Sequence, residues 1–247
     1  MPFGQALIAG ISVFRYSEIT RFRCPDVPMS RYSGITVSRY TVIPISRNTG
    51  IPKKTKPLIT HIPMKTYVML APGFEIAEAT VPIDIMRRAG IDVQIVSITP
   101  FNEVEASNGV VVVADSLLED TDLSDGDLIF LPGGMPGATN LSDCEPLRES
   151  ILEYNAAGKW LAAICAAPLV YGRLGLLKGK NATCYPGFEQ ELKGANTLKK
   201  TVVCDKNFIT GCGPGATFAL GHAIVSALIS KEKADTILQQ MMFQVYE

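Results

Sequence analysis

From residue 66 onward the chain alternates short apolar runs with segments of helical period, and that alternation restricts what it can fold into. Residues 66–71 form a β-type run closed by Pro72-Gly73. Residues 75–88 follow with Ile76, Val81, Ile85 and Met86 at helical spacing and Ala89-Gly90 as a stop. Further strands are expected at 92–98, 109–114, 127–131 and 160–164, and at 201–204 and 208–210 on either side of Asp205-Lys206-Asn207. Further helices are expected over 147–157, 214–229 and 234–243. Apolar strands that alternate with helices pack as a mostly parallel sheet covered on both faces. Such sheets bind ligands at the carboxyl ends of their strands, so the chemistry is sought there.

Residues 1–63 are a different kind of sequence. They hold 9 Lys/Arg against 2 Asp/Glu, whereas residues 64–247 hold 14 against 22. Arg15, Arg23, Arg31, Arg39 and Arg47 recur every eight residues, and Arg15, Arg31 and Arg39 are each followed by Tyr and then Ser or Thr. Pro25, Pro28, Pro44 and Pro52 break any helical run, and an eight-residue period matches no common solenoid. Three origins fit this low-complexity leader: a translated DNA minisatellite upstream of a true start at Met64, an organelle transit peptide, or a nucleic-acid-binding arm. The folded unit is expected at 64–247.

Composition excludes several classes. With 47% hydrophobic and 19% charged residues, the chain is not of the disordered type. A net charge of −1 gives no general attraction to nucleic acid or anionic membrane. No apolar stretch reaches the roughly 20 residues that span a bilayer. The six cysteines contain no C-x-x-C pair and there are two histidines, His61 and His222, so neither a metal nor a cofactor is expected. Scattered cysteines fit a reducing, cytoplasmic setting.

Three strand ends carry candidate chemistry. In Leu161-Ala162-Ala163-Ile164-Cys165-Ala166-Ala167-Pro168, an apolar strand runs into Cys165 with Ala163 and Ala167 two residues to either side. That is the pattern of a nucleophile elbow, where a sharp strand-to-helix turn needs small neighbours. A following helix N-terminus is expected to lower the Cys165 pKa; the alternative is a buried cysteine in an Ala-rich strand. Pro132-Gly133-Gly134 offers backbone N–H groups for an oxyanion hole, or is only a turn. In Gly73-Phe74-Glu75-Ile76-Ala77-Glu78, both glutamates sit in a first helical turn, either as surface acids or with Glu78 aimed across the strand ends.

Taken together, Gly73-Phe74-Glu75-x-x-Glu78, Pro82-Ile83-Asp84-Ile85-Met86-Arg87-Arg88-Ala89-Gly90, Leu131-Pro132-Gly133-Gly134, Ala162-Ala163-Ile164-Cys165-Ala166-Ala167-Pro168 and Gly213-Pro214-Gly215-Ala216-Thr217-Phe218 occur in the order of the ThiJ/PfpI superfamily. The sequence resembles the branch of the parkinsonism-associated protein DJ-one and its bacterial relatives, from Met64 almost to the C-terminus. The resemblance implies a flavodoxin-like three-layer α/β sandwich, usually a homodimer. It implies that Cys165 is a reactive thiolate easily oxidised to a sulfinate and that Glu78, protonated, hydrogen-bonds it. Gly134 and Ala166, with Gly133 beside them, would supply backbone N–H groups, and Tyr185 and Glu75 are possible pocket residues. The activity implied is glutathione-independent, glyoxalase- or deglycase-type conversion of reactive aldehydes such as methylglyoxal or of early glycation adducts. The alternative is a non-enzymatic redox sensor or redox-regulated chaperone that uses oxidation of Cys165.

Two departures matter. Many family members carry a histidine where this chain has Tyr185, which leaves Glu78 as the proton shuttle. The protease branch needs a histidine directly after the nucleophile, and here that residue is Ala166. His222 has apolar neighbours in a helical stretch and is expected to be structural.

Overall fold

The structure, a computed structural model, describes residues 64–243; the octad-repeat leader and the boundary drawn at its end lie outside those residues. The elements in chain order are β1 (Lys65–Leu70), α1 (Ile76–Ala89), β2 (Asp92–Ser97), β3 (Glu103–Glu105), β4 (Val111–Val113), β5 (Ser116–Leu117) and β6 (Leu128–Leu131). After them come α2 (Gly137–Asp143), α3 (Glu145–Ala156), β7 (Trp160–Ile164), α4 (Pro168–Arg173), β8 (Asn181–Ala182) and β9 (Asn196–Thr197). The chain continues with β10 (Val202–Asp205), β11 (Phe208–Gly211), α5 (Thr217–Leu228) and α6 (Lys231–Gln240).

Seven strands form one sheet in the order β10-β11-β7-β6-β1-β2-β5. All neighbours are parallel except β10, which runs antiparallel to β11. Because side chains alternate along a strand, each buried strand feeds two cores. Val68 and Leu70, Phe130, Ala162 and Ile164 face one layer together with α1, α5 and α6. Tyr67 and Met69, Ile129 and Leu131, Leu161 and Ala163 face the other, with α2, α3 and α4. This is the flavodoxin-like α/β sandwich, helices on both faces of a mostly parallel sheet. From β1 the chain moves outward to β2 on one side and later returns to β6 on the other. The sheet therefore has its topological switch point between β1 and β6, the place where such folds open a crevice at the strand ends.

The helix signals are local. Glu75 caps α1, and Gly90 closes it in the left-handed region (φ 87°), with its N–H on Arg87 O and the Ile91 N–H on Met86 O. The last helix starts earlier than the expected 234, because the Ser230 hydroxyl caps it at the Lys233 N–H. The strand expected at 109–114 is a correction. Only Val111–Val113 is extended, and it pairs with β3 in a separate hairpin outside the main sheet, with Val111 and Val113 exposed. The expected helix at 214–229 splits into a 3-10 turn at Pro214–Ala216 and α5. None of the helices among the described residues is long and apolar enough to cross a membrane.

Candidate active site at the ends of three parallel strands

Cys165 stands immediately after β7 with φ 63°, a left-handed conformation rare for a residue with a side chain. The backbone holds it there from both sides: its N–H donates to Gly211 O (2.9 Å) and its O accepts from the Tyr185 N–H (2.8 Å). Ala163 and Ala167 are fully buried around the turn. This is the strained geometry of a nucleophile elbow. The residue is only partly buried.

Glu78 reaches the same point from the first turn of α1. It is the one carboxylic acid wholly removed from solvent among the described residues. Its Oε2 accepts from the Gly133 N–H at 3.0 Å, and its Oε1 is buried without a hydrogen-bond partner among the described residues. Carboxyl and thiol are close enough to exchange a hydrogen bond that shifts both groups, although its geometry falls short of a fully formed bond. Burial is the main cause that pushes Glu78 from 4.5 up to about 7, with the negative charge of Glu75 adding to it; the thiol and the Gly133 N–H act in the opposite direction.

The lowered Cys165 pKa expected from the helix N-terminus is not what the site produces. Burial, then the charge and hydrogen bond of Glu78, push the thiol up to about 12. The Ala166 and Gly134 N–H groups do aim at the sulfur and pull the value down, but α4 is a short helix and they are outweighed. The two groups therefore titrate as a pair. The first proton leaves near 7, and between about 7 and about 12 one proton is shared by carboxyl and thiol. In that span a glutamic acid that donates to a thiolate is one of the two forms of the same singly charged pair.

The other sequence candidates fall as follows. Gly133 is corrected from oxyanion donor to carboxyl anchor, since its N–H is already committed to Glu78. A Cβ at Gly133 would lie 2.5 Å from Glu78 Oε2 and 2.7 Å from Cys165 Cβ, so the pair closes only over glycine. Gly134 has φ 90° and sits against the backbone of Glu75. Glu75 is a helix cap: its Oε2 accepts from the Glu78 N–H at 2.7 Å. Tyr185 is about half exposed, its ring over Gly213 and its N–H on Cys165 O, so it borders the site. His222 lies on α5 and bonds Asp235 of α6 (2.7 Å), away from the site.

Sequence reasoning missed Cys212, which follows Gly211 and lines a cleft of about 500 Å³ with Cys184, Thr183 and Lys200. A second cleft of about 480 Å³, between α3 and the segment after β5, contains neither Cys165 nor Glu78. Among the described residues no group of three His, Cys, Asp or Glu side chains is placed to hold a metal ion.

The DJ-1/PfpI family profile matches residues 64–227. "Protein DJ-1 homolog B" of Arabidopsis thaliana is 42% identical over 172 residues, which cover 69% of this chain and 39% of that protein. The chain thus spans about two fifths of the length of that relative. "Glutathione-independent glyoxalase DJR-1.2" of Caenorhabditis elegans is 28% identical, over 72% of this chain and 96% of that protein. The crystal structure of Drosophila melanogaster DJ-1beta superimposes with a TM-score of 0.71 at 31% identity, over 73% of this chain and 98% of that one.

Proposed function

The chain belongs to the DJ-1/PfpI family, and from that premise we propose that it is a cysteine-dependent, glutathione-independent glyoxalase or deglycase that acts on methylglyoxal or early glycation adducts. One observation supports this reading above the others: a strained, partly buried cysteine, Cys165, beside a buried carboxyl whose pKa is near neutrality. The glyoxalase name of the Caenorhabditis elegans relative agrees with it.

The chemistry follows from the shared proton. Between pH 7 and 12 the pair carries one negative charge, and the thiolate form adds to the aldehyde carbon of methylglyoxal. The oxyanion of the resulting hemithioacetal is held by the Ala166 and Gly134 N–H groups, which already aim at the sulfur. Glu78, which holds the shared proton while the thiolate attacks, gives it to that oxyanion, then takes the proton of the former aldehyde carbon and returns it to the neighbouring carbon through an enediol. A group that must both accept and donate works best with a pKa near the operating pH, the range into which burial moves Glu78. Water hydrolyses the thioester, releases lactate and regenerates the thiol.

The enzyme works in the cytoplasm as a homodimer in this reading. The five cysteines among the described residues are free thiols, and Phe101, Val111 and Val113 leave apolar surface exposed on and beside the β3–β4 hairpin. A second reading, a redox sensor or chaperone, draws on the same pair, since a protonated Glu78 would also donate to an oxidised Cys165. Lactate formation from methylglyoxal by reduced wild type, Cys165→Ala and Glu78→Ala decides between them. Turnover lost in both variants supports the enzyme. No turnover by wild type, with client protection that emerges only after peroxide, favours the sensor.

A further inference from the structure

Cys165 has a thiol neighbour that the β-ladder itself specifies. β11 and β7 pair in parallel, with Phe208 opposite Leu161 and Gly211 opposite Ile164. At one end the Leu161 N–H donates to Asn207 O, and at the other the Cys165 N–H donates to Gly211 O, both at 2.9 Å. In each case the acceptor is the residue just before the donor's opposite number. The opposite number of Leu161 is Phe208, and by the same step that of Cys165 is Cys212. Adjacent strands lie ~4.8 Å apart, inside the ~4.4–6.8 Å range of Cα separations that a disulfide spans. Both side chains are partly buried and pack against the same core layer. Cys212 also opens into the 500 Å³ cleft, which gives a reductant an approach to its sulfur, and its N–H is fixed on Thr201 O at 3.0 Å.

We propose that Cys212 is the resolving cysteine of Cys165, so that oxidation by a hydroperoxide ends in a reversible Cys165–Cys212 disulfide. The inference rests on the reading of Cys165 as the reactive thiol, but not on aldehyde turnover. In the first step the Cys165 sulfur takes a hydroxyl from the peroxide, giving a sulfenic acid and water (an alcohol from an organic peroxide). In the second, the Cys212 sulfur attacks the sulfenyl sulfur, the S–S bond forms and the S–O bond breaks. The hydroxyl leaves as water with the proton of the Cys212 thiol. Two thiols have lost two electrons to one peroxide, and a dithiol reductant restores both by exchange. The bridge removes the nucleophile from aldehyde chemistry and also stops oxidation short of the irreversible sulfinate.

The test uses the reduced full-length chain and one equivalent of hydrogen peroxide, followed by alkylation of free thiols, non-reducing digestion and mass spectrometry. The expected product is a peptide pair joined through Cys165 and Cys212 that dithiothreitol separates. Cys212→Ser should convert the major product to Cys165 sulfinate, while Cys184→Ser should keep the bridge. Wild type that yields Cys165 sulfinate without the bridge, or a bridge from Cys212 to Cys184 in its place, overturns the proposal; this mapping of wild type is decisive even if a variant does not fold. Methylglyoxal turnover by the reduced protein is measured separately. A bridge without turnover sinks the enzyme reading alone, and turnover without a bridge sinks this one alone.

Discussion

The Glu75 carboxylate accepts the backbone N–H of Glu78 at 2.7 Å, so one glutamate caps the helix turn that carries the other. The contact links positioning to electrostatics. It fixes the first turn of α1, from which Glu78 reaches the Gly133 N–H and the thiol. It also places a negative charge close enough to help hold the Glu78 proton.

Substitution should separate those two contributions. Glu75→Gln keeps an oxygen acceptor and removes the charge, so the Glu78 pKa should fall below about 7 with little loss of stability. Glu75→Ala also removes the cap and should cost about 1 kcal/mol. The rise of turnover with pH and urea unfolding report the two effects. An unmoved pH profile in Glu75→Gln would show that its charge is not felt at Glu78.

Gly133→Ala tests how tightly the pair is closed. The new methyl meets Glu78 Oε2 at 2.5 Å and Cys165 Cβ at 2.7 Å, so carboxyl and thiol must separate. Overpacking of this kind typically costs ~1–3 kcal/mol. Turnover should fall at least tenfold while circular dichroism keeps the native signature. A Gly133→Ala enzyme with wild-type turnover would mean that contact between the two groups is not required.

Much of this was legible in the chain because the information is local. The run 160–164 is apolar and bounded, and the Ala-flanked Cys165 after it needs no tertiary knowledge to be read as an elbow. Short edge pieces such as β5 and the seven-residue α2 leave too little periodicity to detect. What stayed hidden depends on strand order. Gly133 reads as an oxyanion donor until β6 is seen beside β1, where its N–H meets Glu78. A helix N-terminus after Cys165 suggests a lowered pKa, but burial and a carboxyl brought over from α1 reverse the sign. Cys212 carries no local signal, and its significance comes from the register of β11 on β7.

Tyr185 stands where many family members have a histidine, and its half-exposed ring lies over Gly213. Its backbone N–H donates to Cys165 O at 2.8 Å, and no hydrogen bond of its hydroxyl is found among the described residues. Tyr185→Phe should therefore retain kcat for methylglyoxal within about twofold, less than the ~10²-fold that loss of a general acid–base group costs. A loss of that larger size in the phenylalanine variant would transfer the proton shuttle from Glu78 to the phenol.

Glu78→Gln should separate catalysis from stability, and pH supplies the sign. The glutamine keeps the shape and an oxygen for the Gly133 N–H but cannot shuttle a proton, so turnover should fall ~10²-fold or more. Cys165 should still be alkylated by iodoacetamide, and without the carboxylate its thiol should titrate below about 12. For stability, the acid binds its proton more tightly in the folded state (about 7) than at its ordinary value of 4.5. The contribution is then fully present below 4.5 and is lost as pH rises through 7, because a buried charge must form. The displacement corresponds to on the order of 3 kcal/mol. Wild type should thus lose stability relative to Glu78→Gln between pH 5 and pH 8, as measured by urea unfolding of both proteins. Parallel unfolding free energies across that interval would mean that Glu78 ionises in the fold as it does in water, and the shared-proton mechanism would fail with it.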